Sequence, residues 1–138
     1  MSVLVFDHAT LRAYDADGAD LGAWPAANNV DSHCKGPWPP GEFDFLWLLV
    51  GAADGPDGAY GSHGIFIFDV PGRTGMGVHS GRATVPDGLN RCGVAHCTLG
   101  CIRTEDAAMA RLRELHARDP IKAIKVIPLA AEDEERQV

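Results

Sequence analysis

No stretch of this 138-residue chain holds the roughly 18 consecutive apolar residues that a membrane-crossing helix needs. Leu46 to Val50 is greasy but too short, so no membrane span is expected. Basic residues are few. Twelve Lys and Arg stand against 19 Asp and Glu, a formal charge of −7. Nucleic acid is therefore not an expected partner, because neutralising phosphates requires clustered Lys and Arg. Met1 to Ala9 lacks the basic start and apolar middle of a secretory leader. A leader removed beforehand and export by another route both fit that observation. There is no internal repeat and no low-complexity tract, which excludes a solenoid.

Cysteine is sparse as well: Cys34, Cys92, Cys97 and Cys101. A chain of this length buries a core without covalent staples, so the four need not form a disulfide framework. If Cys101 is a free nucleophile, three remain, and at most one bridge forms among them. Cys92 with Cys97, or Cys34 with either, are the candidates.

What is present describes an ordinary globular protein, 46% hydrophobic and 22% charged. Sixteen glycines and nine prolines favour turns and short strands over a helical bundle. The expected architecture is mostly β with one main helix. One domain spans 1–130, and an acidic, disordered tail follows at 131–138. Strands are expected at Val3–Phe6, Leu11–Tyr14 and, more weakly, Ala19–Ala27, with Asp-Gly marking a turn between the last two. His8 reads as a turn residue. Gly36-Pro37-Trp38-Pro39-Pro40-Gly41 is a rigid turn that delivers the chain into Phe43–Val50, a strand whose near-continuous apolar content predicts burial. The Gly51–His63 loop is either a substrate-side flap or an insertion. Gly64–Val70 is the clearest strand, and Met76–Val78 is a short one ending on His79, whose small neighbours leave the imidazole reachable. A second loop follows at Arg82–Ala95. Thr104 is the expected N-cap of a helix with Ala108, Leu112 and Leu115 on its apolar stripe, stopped by Asp119-Pro120. Ile121–Leu129 closes the chain as a strand, with Ile124, Val126 and Leu129 as its apolar members.

The chemistry gathers in Gly77-Val78-His79-Ser80-Gly81 and His96-Cys97-Thr98-Leu99-Gly100-Cys101-Ile102-Arg103. A thiolate is the reactive form of cysteine, and a nearby imidazole generates it. A helix start beyond the turn adds partial positive charge, and amides around a glycine turn can hold an oxyanion. Against this stands the plainer role of Cys101 as a small buried hydrophobe and of His79 as a core histidine. A rival from another class is a zinc-binding or structural module built on His79, Cys92, His96, Cys97 and Cys101, although Cys-x4-Cys-x3-Cys lacks the paired knuckles of structural sites.

The two segments resemble the active-site signature of the L,D-transpeptidase catalytic domain family, the cysteine peptidoglycan transpeptidases. His79 takes the place of the upstream His. Thr98, Gly100, Cys101, Ile102 and Arg103 fill the Ser/Thr-x-Gly-Cys-Ile/Val-Arg segment. The resemblance implies a β-sandwich-like fold, Cys101 as nucleophile, His79 as base then acid, and the amides of Gly100 and Cys101 at the oxyanion. Thr98, Ser80, Gly81 and Arg103 are assigned to the substrate side. Within that, Thr98 braces the turn, and Arg103 either holds a substrate carboxylate or fastens the loop. The implied substrate is the peptidoglycan stem peptide, cut after its third residue through a thioester, with no metal or cofactor and a periplasmic or secreted location. Two departures stand out. The His79–Cys101 spacing, 101 − 79 = 22 positions, is longer than is typical of the family. Leu99 replaces the His often found before Gly-Cys, with His96 close enough to substitute. The Leu99 departure leans toward shorter, divergent members, including antibacterial effectors, which would add a cognate inhibitor protein as partner; the lack of a visible leader fits that branch.

Overall fold

The computed structural model describes residues 1–31 and 35–129; Cys34 and the acidic tail lie outside them. Strand β1 (Ser2–Phe6) pairs antiparallel with β2 (Thr10–Tyr14), which pairs with β3 (Asp20–Pro25). The first turn is built by Asp7, whose carboxylate accepts the amides of Ala9 and Thr10 at 3.0 and 2.7 Å. That turn holds His8 at φ 76°. The second turn repeats the device with Asp15, and Gly18 supplies φ 82°.

The remaining elements are β4 (Gly41–Leu49), β5 (Ile65–Phe68), β6 (Gly77–His79), β7 (Ile102–Arg103), α1 (Asp106–Arg118) and β8 (Ile121–Val126). Together the strands form one curled sheet in the order β3-β2-β1-β8-β4-β5-β6-β7. The protein is thus mostly β with one helix, as its turn-rich composition implies. The last strand lies in the middle, parallel to β1 and antiparallel to β4. Its neighbouring residues Ala123 and Ile124 point to opposite faces and are both buried, so β8 is covered on both sides. The apolar members expected for this strand, Ile124, Val126 and Leu129, therefore leave out the buried residues Ile121 and Ala123, and the strand ends at Val126 rather than Leu129.

Helix α1 buries Ala108, Met109, Leu112 and Leu115 along one stripe. Each of the larger ones contributes about 1.5–3 kcal/mol of apolar burial. Thr104 is not its N-cap. Glu105 holds that position without a side-chain bond, while Thr104 is buried, its amide on the His79 carbonyl (2.8 Å) and its hydroxyl on the Pro25 carbonyl (2.7 Å). The residue still belongs to the extended run leaving β7, so its hydroxyl serves the sheet. The helix ends where expected, with the Asp119 amide on the Leu115 carbonyl.

Strand β4 corrects a second expectation. Leu46, Trp47 and Leu49 are 44%, 54% and 45% exposed. The apolar run is buried on one face only, where Phe43 and Phe45 pack against Trp38, Phe66, Phe68 and His116. A register shift between Phe45 and Trp47 breaks the alternation beyond that point.

The far end of the sheet sorts its side chains cleanly by period two. Phe66, Val78 and Ile102 lie side by side across β5, β6 and β7 and are fully buried in the core shared with α1. The alternate residues Ile65, Ile67, His79, Cys101 and Arg103 line a cavity on the opposite face. Gly77 belongs to that face too, and a Cβ there would collide with Ile65 and the Phe66 carbonyl.

Candidate active site

That cavity has a volume of about 520 Å³ and is lined by His79, Thr98, Cys101 and Arg103 together with Arg82 and His96. The parallel pairing of β6 with β7 sets His79 opposite Arg103, which makes Cys101 the next residue along on the same face. The sequence separation is taken up by the Arg82–Ala95 loop, which folds back through Gly93, whose amide bonds the Arg82 carbonyl.

His79 is 1% exposed, contrary to the reachable imidazole expected from its small neighbours. The Gly51–His63 loop covers it. Tyr60 sets its ring edge-on to the imidazole with centroids 5.2 Å apart. Gly58 and Pro56 accept the amides of Arg82 and Ala83. A Cβ on Gly61 would overlap Ser80, so the loop packs against the His79 segment rather than hanging free as a flap. The imidazole Nδ1 lies 2.7 Å from the Ser80 carbonyl oxygen. A backbone oxygen only accepts, so Nδ1 carries the proton and Nε2 is left as the acceptor.

Ser80 and Gly81 do not line the cavity. The Ser80 hydroxyl donates to Asp106 in the first turn of α1, which also accepts the Ser62 hydroxyl at 2.6 Å and the Ser62 amide at 3.1 Å. Gly81 packs on the Gly58 carbonyl at φ 106°. Both residues hold the His79 end of β6 in place.

The turn before Cys101 is braced from two sides. Thr98 Oγ1 donates to the Cys101 carbonyl (2.7 Å) and accepts the Gly100 amide (3.1 Å). Asn28 Nδ2 donates to the carbonyls of Gly100 and Cys101 at 2.8 and 2.9 Å. Gly100 sits at φ 143°, and a Cβ there would overlap Arg73 and crowd the Met76 sulfur. Its amide is engaged by Thr98, so of the two amides assigned to an oxyanion only that of Cys101 is not already held by that hydroxyl. Arg103 is 3% exposed, with Nη1 on the Ser80 carbonyl (3.3 Å) and Nη2 on the Cys97 carbonyl (3.4 Å).

The resting charge state is neutral. Burial drives the His79 pKa down to about 4, helped by the Arg103 charge and opposed by the Ser80 bond. Burial also pushes the Cys101 thiol up, outweighing the Gly77 amide and the Arg103 and Arg73 charges. The helix start, which follows β7, does not lower the thiol as the sequence suggested, because burial outweighs the groups that favour the thiolate. A neutral thiol and a neutral imidazole that line one cavity hold no stored ion pair, so any chemistry between them would have to begin with a proton transfer. One consequence is measurable in stability. Between pH 6.5 and about 4 the unfolded chain protonates His79 and the folded chain does not. Stability is therefore expected to fall with falling pH by up to about 1.4 kcal/mol per unit from this residue. Denaturant melts across that range, compared with His79→Gln, read the share directly.

Neither a family sequence model nor a curated protein sequence matches the chain. Its shape does have relatives among solved structures. L,D-transpeptidase 1 of Mycobacterium tuberculosis superposes with a TM-score of 0.56 at 18% identity, over 92% of this chain and 62% of that one. An L,D-transpeptidase from Mycobacterium smegmatis gives 0.56 at 21% identity, over 92% and 58%. The chain has an L,D-transpeptidase-like fold. It spans about three fifths of the length of those two structures.

Within this L,D-transpeptidase-like fold the zinc alternative finds a different set of ligands from the one expected. His96 and Cys97 come together with Asp87, their ligand atoms within 4.8 Å of one another, while His79, Cys92 and Cys101 take no part. Asp87 is already occupied. Burial pushes its carboxyl up, but the carboxylate accepts the amides of Arg91, Leu89 and Cys97 and the Arg91 Nε, which together outweigh burial and hold it well below the usual range. It acts as a loop knot with its own cation. His96 Nδ1 is engaged with the Cys97 carbonyl at 2.9 Å. Cys92, Cys97 and Cys101 all carry free thiols, so the Cys92–Cys97 bridge is not formed.

Sequence reasoning missed Asn28, Tyr60, Arg73, Arg82 and Asp106. None stands in a recognisable spacing with His79 or Cys101.

Proposed function

We propose that this chain is a peptidoglycan-modifying cysteine acyltransferase, an L,D-transpeptidase or L,D-carboxypeptidase. The observation that carries the reading is the single cavity lined by His79, Thr98, Cys101 and Arg103. The likeness to two mycobacterial L,D-transpeptidases supports it.

In this reading the Cys101 sulfur attacks the carbonyl after the L-centre of the third stem residue while its proton passes to His79 Nε2. The negative oxygen of the tetrahedral intermediate is held by the Cys101 amide. Collapse expels the terminal D-alanine, whose amine takes the proton back from His79, and leaves a thioester on Cys101. An amine from a neighbouring stem, a free D-amino acid or water then attacks the thioester, with His79 again as base. These acceptors give cross-linking, exchange and trimming respectively. No metal enters any step. The substrate places the protein in the periplasm or outside the cell.

Intact muropeptides incubated with the protein and read by mass spectrometry test this. Loss of one alanine signals carboxypeptidase action, and a new dimer signals cross-linking. Folded protein that changes neither contradicts the proposal, and stoichiometric zinc in the purified protein would favour the module instead.

A further inference from the structure

We propose that Arg82 and Arg103 form a carboxylate-binding site in the wall of the cavity that holds Cys101 and His79. The acid is a peptide carboxylate presented next to the bond under attack, an identification that rests on the transpeptidase reading.

Both side chains line the cavity, and the Nε of each is buried without a hydrogen-bond partner. Buried polar atoms almost always have one, so two orphaned guanidinium donors in one cavity ask for an acceptor from outside. The bonds that Arg103 does make go to neutral carbonyls at 3.3 and 3.4 Å. Among the described residues, the ion pairs involve the N-terminus, Arg12, Arg91 and Arg111, and neither Arg82 nor Arg103. Burial and then the charge of Arg82 lower the Arg103 pKa, so the two cations feel each other; Asp54 attracts Arg103 more weakly than Arg82 repels it. A buried guanidinium and a partly exposed one are held near each other here by the fold, and an anion between them relieves their repulsion. A carboxylate, with two oxygens, suits two planar forks.

Backbone geometry supplies an independent argument. Arg82 sits at φ 56°, a left-handed conformation uncommon for any residue but glycine. It is pinned there by its amide on the Gly58 carbonyl (3.0 Å) and its carbonyl under the Gly93 amide (2.6 Å). Such conformations persist where the surroundings impose them and collect at ligand sites.

Two substrate carboxylates fit this chemistry: the C-terminal carboxylate of the leaving D-alanine and the one on the side chain of the third-position diamino acid.

The first test needs no peptidoglycan. Alkylation of Cys101 is followed by peptide mapping with iodoacetate and with iodoacetamide, on the full chain. Both probes report the same thiolate, so their rate ratio isolates attraction of the carboxylate. The ratio is expected to exceed that of free cysteine by about ten-fold, the equivalent of one charge-assisted hydrogen bond. Arg82→Asn, whose asparagine tolerates a positive φ, returns it to the free-cysteine value, and Arg82→Lys recovers part of it. A wild-type ratio equal to that of free cysteine, or one unchanged in Arg82→Asn, overturns the proposal; the wild-type comparison stands even if the variant does not fold. Stem tetrapeptides amidated at one carboxylate or the other then identify the source by which amide loses kcat/KM in the wild type but not in Arg82→Asn. Equal turnover of both amides overturns the substrate assignment. No turnover of any stem with the iodoacetate preference intact contradicts the transpeptidase reading and leaves the anion site standing.

Discussion

Cys101→Ala is expected to reduce turnover of stem tetrapeptides below detection while leaving the fold intact. The proposed reaction passes through a bond to this sulfur, and no neighbouring group can form it instead. Cys97 lines the same cavity but lies outside the braced turn, with its amide tied to Asp87. The structural cost is small because the one hydrogen bond that Sγ donates, to the Gly75 carbonyl, is long at 3.5 Å. Loss of the sulfur should shift stability by no more than about 1 kcal/mol. Turnover and urea melts on one preparation check both halves. Residual turnover within ten-fold of the wild type would move the nucleophile elsewhere.

His79→Gln is expected to lower kcat/KM by roughly 10²–10⁴-fold, the range for loss of a positioned proton carrier. Glutamine offers the Ser80 carbonyl a donor and fills much of the ring's space, so the segment should hold its shape. The pH profile carries the sharper reading. With His79 held down near 4 and the thiol raised, the active form is the neutral pair, and it persists over a wide range above pH 4. Activity should therefore rise through a low-pH limb set by the imidazole and stay level through neutrality. The variant should lose that limb and climb with pH as bulk hydroxide ionises the thiol. Rates across pH 3.5–9 for both proteins decide the matter. A wild-type limb near pH 6.5 would mean that the imidazole is solvated, contrary to its burial.

The parts of this site that were legible in the sequence are those that one strand pairing brings together. His79 ends β6 and Cys101 precedes β7, so a short motif on each strand was enough to place the two in one cavity, with Arg103 and Thr98 beside them. The glycine pattern marked the turn, and Gly100 is held at a φ that suits glycine alone. The supports were not legible, because they come from far along the chain. Asn28 reaches the Cys101 turn across 72 and 73 positions, and Asp106 reaches Ser62 across 44. A lone Asn in an irregular stretch and an Asp at a helix start look the same whether or not they brace anything. The sign of the thiol shift was misjudged for a related reason. Proximity to a helix start can be guessed from order along the chain, but desolvation depends on which loop closes over the cavity. Burial of β4 failed in the same way, since an apolar run does not say how many of its faces are covered.

The most direct measurement of the central claim is the mass of the intact protein, quenched in acid milliseconds to seconds after mixing with a stem tetrapeptide. The account predicts a transient adduct equal to the stem less its terminal alanine. The adduct maps to Cys101, is labile to hydroxylamine as a thioester should be, and forms more slowly in His79→Gln. Products released without any such adduct, or an adduct that maps to another residue, would contradict it.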